Sequence, residues 1–406
     1  MTVTIQPRRA SGTVAAPTSK SVSHRLLICA GLSKGTSQIH GVELNEDISA
    51  TIDCLRSLGA SCAISGETVT VQGADFTLAK PSQTLCCRES GSTLRFFIPL
   101  GLLCGETVSF TGTEKLLSRP LNIYAQLCAE RGFAFEQSKS LLQVKGKLEA
   151  GNFCIPGNIS SQFVTGLLFA LPLLNGDSMI HIVPPVESRG YIDLTLQALH
   201  AFGIRADWQD SCTLAIPGNQ QYTAADMTVE GDYSGAAFFA GLNALGGDIT
   251  ITGLLSDSLQ GDRVYTQHLE SLCNGRPEID ITDCPDLGPI LFAVAAAKNG
   301  AVFTGTRRLK IKESDRAAAM AQELAAFGTK VTVEENRVVI DAGEFHGPNR
   351  TLRGHNDHRI VMSLAVLLTL TGGKIDGAQA VSKSFPDFFE KLSALAIAVA
   401  MDETHQ

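Results

Sequence analysis

The chain has 406 residues, 44% hydrophobic and 18% charged, a globular balance that excludes a largely disordered protein and leaves room for two or three domains. Its formal net charge of −8 excludes a general nucleic-acid binder, whose footprint would be broadly basic. Small anions are not excluded, because their sites depend on local charge and oriented backbone dipoles.

Eleven cysteines form no Cys-x-x-Cys pair, and an odd number in apolar surroundings such as Cys29, Cys104 and Cys128 reads as a reduced, cytoplasmic protein without a thiol metal site. Met1 to Arg9 lacks the apolar segment of a secretory signal. The longest apolar run, Phe163 to Leu174, is too short to span a bilayer, so no membrane association is expected.

Along the chain, one phrase recurs: an amphipathic helix stopping at a glycine, then two short alternating strands. It begins at Asp53, Leu127, Leu199 and Leu324, with Gly59, Gly132, Gly203 and Gly328 as left-handed stops before a hairpin. Ahead of each phrase lies a second helix that opens on small polar residues. Such openings fall near Ser19, Ser90, Ser160, Asp232, Asp286 and Asn356, mostly about seventy residues apart, a period that signals stacked supersecondary units. Each unit reads strand, helix, strand, helix, hairpin. The pattern weakens near Asn274 and after Leu392, so four repeats rest on the phrase itself and two on position. The polar stretch Pro217 to Thr228 is the expected domain boundary.

Five polar clusters fall where the repeat places helix N-termini, whose unpaired N–H groups and dipole attract anions. Thr18 to Arg25 combines hydroxyl caps with Lys20 and Arg25; an ordinary serine cap with solvated basic residues would read the same. Arg88 to Arg95 contains Gly91, which permits close backbone approach to a ligand. Asn158 to Gln162 supplies two hydroxyls and an amide. Lys312 to Arg316 is expected to open a helix with Lys312 and Arg316 on one face, beside Glu313. Asn356 to Arg359, with Asn356 or Asp357 as cap, places His358 and Arg359 in a first turn, and Lys383 to Asp387 follows downstream. Taken singly, each has a bland structural reading.

Together and in this order, SKSVSHR, ESGSTLRF, SRP, SSQF, YID, EGD, PD, KESDR, NDHR and KSFPDFF resemble the signatures of the 5-enolpyruvylshikimate-3-phosphate synthase family, from Lys20 to Phe389. The resemblance implies an α/β fold: a two-lobed inside-out α/β barrel with three βαβαββ-type repeats per lobe, six in total. It further implies a discontinuous lobe of residues 1–18 plus 229–406, an inserted lobe of residues 19–228, and an active site in the cleft between them, complete only when the lobes close.

Carried over by position, the resemblance implies phosphoenolpyruvate binding by Lys20, Gly91, Arg119, Gln162, Arg316, Arg359 and Lys383. For shikimate 3-phosphate it implies Lys20, Ser21, Arg25, Ser160, Ser161, Gln162, Ser188, Tyr191, Asp286 and Lys312. Lys20, Asp286, Glu313 and His358 are the catalytic candidates. Glu89, Ser92, Gly190 and Arg308 depart from the family's usual residues at their positions, and Glu89 would bring negative charge toward the phosphoenolpyruvate pocket.

The implied reaction transfers the enolpyruvyl group to the 5-hydroxyl by addition and elimination, releasing phosphate. A base must take the hydroxyl proton, for which Asp286 is expected, while Lys20 and Glu313 serve the carbon-proton steps. No cofactor and no metal are implied, and the expected form is a monomer. A UDP-N-acetylglucosamine enolpyruvyl transferase would share the architecture, but its Lys-Asn pair is absent, since Ser21 follows Lys20. An RNA 3′-phosphate cyclase would need matching motifs and a basic surface. An inactive anion-binding scaffold of the same fold is the reading from a different class.

Overall fold

The computed structural model describes residues 1–78 and 83–402. The chain divides into two compact units: an inserted unit, Thr18–Glu230, and a discontinuous unit, Met1–Pro17 with Gly231–Gln406. Among the described residues there are six small sheets, three in each unit, and the chain has the six-repeat α/β architecture. The polar stretch 217–228 is no linker. Tyr222 within it is fully buried and donates to the Phe169 carbonyl at 2.8 Å, and Met227–Thr228 pairs in parallel with the strand Thr36–His40. The division falls just beyond it, between Glu230 and Gly231.

The inserted unit carries α1 (Lys20–Leu32), α2 (Glu46–Ser57), α3 (Gly91–Gly101), α4 (Glu114–Leu117), α5 (Asn122–Glu130), α6 (Ser161–Ala170) and α7 (Arg189–Ala201). The discontinuous unit carries α8 (Tyr233–Ala244), α9 (Tyr265–Asn274), α10 (Gly288–Ala297), α11 (Arg316–Leu324), α12 (His358–Thr371) and α13 (Phe388–Ala394). Two kinds of helix alternate. Helices such as α6 and α10 are mostly apolar around their circumference and almost wholly buried, as a helix without a polar face must be, and α3 and α12 are as deeply buried with their polar residues concentrated in the first turns. Helices such as α2, α7 and α11 are amphipathic and end near Gly59, Gly203 and Gly328, which hold φ of 110°, 78° and 85°. These are left-handed values that glycine adopts without strain.

Four sheets share one plan, a parallel pair joined through a helix and then two antiparallel strands, and a fifth has the same strand order with its parallel partner, Met227–Thr228, supplied from the far end of the inserted unit. Gln83–Cys86 pairs in parallel with Val108–Thr111, followed by Leu142–Lys145 and Ala134–Gln137. The two places where the repeat weakens in sequence have topological causes. After Asn274 the chain makes no hairpin, and the corresponding sheet is only Ser11–Ala15 against Asp248–Thr252. After Leu392 the hairpin partner comes from the other end of the chain, since Thr2–Ile5 lies between Gly373–Asp376 and Val399–Asp402.

Helices α3 and α6 touch closely because Gly166 has no side chain: an added Cβ would stand 2.5 Å from the Arg95 carbonyl oxygen and collide with the Tyr124 hydroxyl. That hydroxyl bridges the helices, donating toward the carbonyls of Arg95 (2.9 Å) and Phe163 (3.0 Å). Gly166→Ala is therefore expected to destabilise by about 1–3 kcal/mol through overpacking, despite alanine's better helix propensity. Denaturant unfolding of the variant measures this directly, and a neutral or stabilising result would contradict the close approach.

Candidate functional site

In the inserted unit, Ser19, Ser90 and Ser160 accept from the backbone N–H of Val22, Thr93 and Gln162. They cap α1, α3 and α6 as their sequence positions predict. Ser188, in a left-handed conformation with φ 56°, precedes α7.

Hydrogen bonds between neighbouring helices tie the N-terminal halves of α1, α2, α3, α6 and α7 into a ring. His24 on α1 pairs through Nδ1 with Thr51 of α2 at 2.8 Å, and Thr51 pairs with Thr93 of α3 at 2.8 Å. Arg95 of α3 donates to Gln162 Oε1 of α6 at 2.7 Å, and Gln162 Nε2 donates to Ser92 at 2.9 Å. Thr165 pairs with Thr195 of α7 at 3.0 Å, and Arg25 closes the ring on Thr195 Oγ1 at 2.9 Å and the Tyr191 carbonyl at 2.8 Å. Burial, then Lys20 and Arg25, hold the His24 imidazolium well below its ordinary pKa, so the ring joint is neutral. The ring fixes the helix starts that carry Lys20, Ser21, Gly91, Ser160, Ser161, Gln162 and Tyr191.

Arg25 is 3% exposed, and its guanidinium donates to Ser21 O, Tyr191 O and Thr195. Burial lowers it to about 10, against the opposing fields of Tyr191 and Cys29. It braces α1 against α7. Lys20 sits at 2.7 Å from Asp47 Oδ2. Gly91 has no positive φ, so backbone conformation does not demand glycine there. Space does: an added Cβ would stand 2.6 Å from Arg119 Nη1 and 3.1 Å from Arg95 Nη1. Two guanidiniums thus flank the start of α3, and Arg119 Nε and Nη2 are buried with no hydrogen-bond partner among the described residues. Such a grouping attracts an anion. Arg95, which is not among the expected site residues, lies beside Gly91 and Gln162. Its position four residues after Gly91, on one helical face, was the available signal.

In the discontinuous unit, Asp232 caps α8 and Asp357 caps α12. Asp286 is not a cap. It lies in the single turn Pro285–Leu287 ahead of α10, and its carboxylate faces Arg316 Nη1 (2.8 Å), Lys312 (3.0 Å) and Arg359 Nη2 (3.4 Å). Nor do Lys312 and Arg316 share a helical face. Helix α11 starts at Arg316 under an Asp315 cap, and Lys312 lies in extended backbone before it. Asp315 stops the helix from starting earlier, because its carboxylate takes the Ala318 N–H. Both cations reach the same Asp286 oxygen all the same.

Arg316, 1% exposed, is the hub: besides Asp286 it bonds Glu313 and takes Asp357 Oδ2 at 2.9 Å. Ser314 Oγ donates to the same Asp357 oxygen at 2.9 Å. Burial alone would raise the Asp286 carboxyl, but Arg359, Lys312 and Arg316 together outweigh it and hold it well below the usual carboxylate range. For Asp357 burial is likewise outweighed, chiefly by Arg316. Lys312 is lowered, by burial above all, although Asp286 opposes the shift. His358 is buried in the first turn of α12, and Lys383 donates to the Asn356 carbonyl at 2.7 Å. Asp357 has no signal in sequence beyond its cap position, and Asp47, inside α2 after the Asn45 cap, has none. Among the described residues, no group of three or more His, Cys, Asp and Glu side chains is placed to hold a metal ion, and no helix is long and apolar enough to cross a membrane.

The hub gives a signed pH expectation. Arg316→Leu leaves three carboxylates without their shared cation and is expected to cost about 3–5 kcal/mol at pH 7. The folded pKa values of Asp286 and Asp357 are depressed, so their stabilisation is present above the unfolded value near 4 and lost as pH falls through the lower folded values. The variant's deficit should therefore shrink as pH falls below about 4. Melting temperatures of both proteins from pH 7 to 3 check this, and a constant deficit would contradict the ionised hub.

The family model described as EPSP synthase (3-phosphoshikimate 1-carboxyvinyltransferase) matches residues 5–392. A 3-phosphoshikimate 1-carboxyvinyltransferase from Clostridium kluyveri is 41% identical over 97% of each chain, and one from Clostridium beijerinckii is 38% identical over 96% of each. Among solved structures, an EPSP synthase from Acinetobacter baumannii superposes with a TM-score of 0.79 at 25% identity, covering 98% of this chain and all of that one. The enolpyruvyl transferase NikO from Streptomyces tendae shares the fold, with a TM-score of 0.79 at 14% identity over 98% of both chains.

Proposed function

The chain belongs to the EPSP synthase family, and from that premise we propose that it transfers the enolpyruvyl group of phosphoenolpyruvate to the 5-hydroxyl of shikimate 3-phosphate. The observation that carries the reading is the Asp286 carboxylate held among Lys312, Arg316 and Arg359, an acceptor for a hydroxyl proton set beside groups that bind anions. The protein is further proposed to be a cytoplasmic monomer.

In the proposed reaction the 5-hydroxyl oxygen bonds to C2 of phosphoenolpyruvate while Asp286 takes its proton, and C3 gains a proton to become a methyl. The adduct then loses a methyl proton and inorganic phosphate, which restores the C2–C3 double bond in the product. Lys20 and Glu313 are proposed for the carbon-proton steps. Arg119, Arg359, Lys383 and the Gly91 backbone would hold the carboxylate and phosphate of phosphoenolpyruvate. Ser21, Ser160, Ser161, Ser188, Tyr191 and Lys312 would hold shikimate 3-phosphate, with Gln162 serving both. Arg25 and Arg316, turned toward protein oxygens, would act by bracing these groups, and His358 by shaping the turn beside Arg359.

A carboxylate with so low a pKa is a weak base. Anionic substrates offer Lys312 and Arg359 competing oxygens, which would loosen their hold on Asp286 and raise its basicity toward the hydroxyl. The same cations then neutralise charge on the departing phosphate.

Three measurements test the proposal. Phosphate release should require phosphoenolpyruvate and shikimate 3-phosphate together; release with UDP-N-acetylglucosamine in its place would overturn it. Asp286→Asn should keep substrate binding while kcat falls about 10²-fold or more, and wild-type turnover in the folded variant would remove Asp286 from the chemistry. Gly91→Ala should raise the KM for phosphoenolpyruvate with little change in melting temperature, because the new methyl meets flexible arginine tips rather than backbone. A lower melting temperature with KM unchanged would instead make Gly91 structural.

A further inference from the structure

Glu323 lies outside every motif described above, yet its side chain is fully buried. It sits on α11 seven residues after Arg316, two turns along the same face. Its Oε2 accepts from Arg350 Nη1 at 2.7 Å and from the Arg353 N–H at 3.1 Å, while Oε1 meets His355 Nε2 at 2.8 Å. Burial would raise this carboxyl, but the bonds from His355, Arg350 and the Arg353 backbone outweigh it and keep it below its ordinary range.

The partner segment is strained. His355 and Asn356 hold φ of 50° and 52°, two successive non-glycine residues in the left-handed region, a costly arrangement that persists only where surroundings impose it. Immediately after them, Asp357 caps α12 and binds Arg316 at 2.9 Å. Helix α11 therefore grips the turn on both sides: Arg316 holds residue 357 and Glu323 holds residue 355. What the turn presents is functional in the reading above. The Asn356 carbonyl accepts from Lys383 at 2.7 Å, and Arg359, the second residue of α12, reaches Asp286.

We infer that Glu323 is a positioning residue: through His355 it holds the left-handed 355–356 turn in the one shape that aligns Lys383 and Arg359 for the anionic substrate. The inference rests on the proposed transfer reaction for its substrate but on geometry for its mechanism. Glu323 touches no reacting atom, so its loss should weaken anion binding without slowing the bound complex.

The test uses Glu323→Gln, His355→Asn and the double variant. Asparagine tolerates the left-handed conformation, so His355→Asn removes the clamp while sparing the backbone, and serves if Glu323→Gln does not fold. Each single variant should raise the KM for phosphoenolpyruvate about tenfold or more with kcat within about threefold. The double variant should fall short of the sum of the two singles, because both disturb the Glu323–His355 contact. Unchanged KM, a kcat loss at constant KM, or additive effects would each overturn the inference, whatever happens to melting temperature. If the wild type gives no turnover, the proposed function fails by itself, and the clamp is judged on the rise in melting temperature produced by inorganic phosphate. That rise should be present in the wild type and smaller in both variants; equal rises, or none in the wild type, would overturn the clamp.

Discussion

A single guanidinium organises the discontinuous unit. Arg316 is almost wholly buried and faces Asp286, Glu313 and Asp357, so it must be matched by carboxylates, and they in turn must be held close by it. Removing a charge from water is costly unless paired and hydrogen-bonded. That requirement ties the turn before α10, the start of α11 and the cap of α12 to one point. Lys312 and Arg359 bring the three carboxylates into charge balance, and an anionic substrate can compete with Asp286 for them.

The inserted unit solves the same problem with neutral groups. Its helix starts are joined by a ring of threonines, Gln162 and a neutral His24, closed by Arg25 and Arg95. Hydrogen bonds of this kind fix direction with little net charge, so Lys20 and Arg119 remain the cations with most to offer a ligand. One unit is held by charge and the other by hydroxyls, and each fixes helix N-termini whose dipoles favour anions.

Much of this was legible in the sequence. Serine and aspartate caps, stop glycines and alternating strands are local signals, and they located Ser19, Ser90, Ser160, Asp232 and the four clear hairpins. What sequence could not supply was non-local. The Asp286 turn looked like a cap because its neighbours are small and apolar, whereas its carboxylate answers to cations 26, 30 and 73 residues away. Lys312 has helical spacing to Arg316, but the Asp315 cap starts the helix three residues later. The missing hairpin after Asn274 and the borrowed strand Thr2–Ile5 follow from pairings between chain ends, for which no local pattern exists. Arg95 carries a periodic signal, four residues after Gly91; Asp47 and Glu323 carry none.

Arg359, Lys312 and Arg316 hold Asp286 ionised, and in the proposed reaction anionic substrate draws the first two away. Carbon-13 NMR titration of the Asp286 carboxyl, assigned through Asp286→Asn and followed with and without shikimate 3-phosphate, measures this most directly. The account predicts titration well below the ordinary carboxylate range in the free protein and an upward movement when the ligand binds. An Asp286 that titrates near 4 in the free protein, or one that does not move on binding, would contradict it.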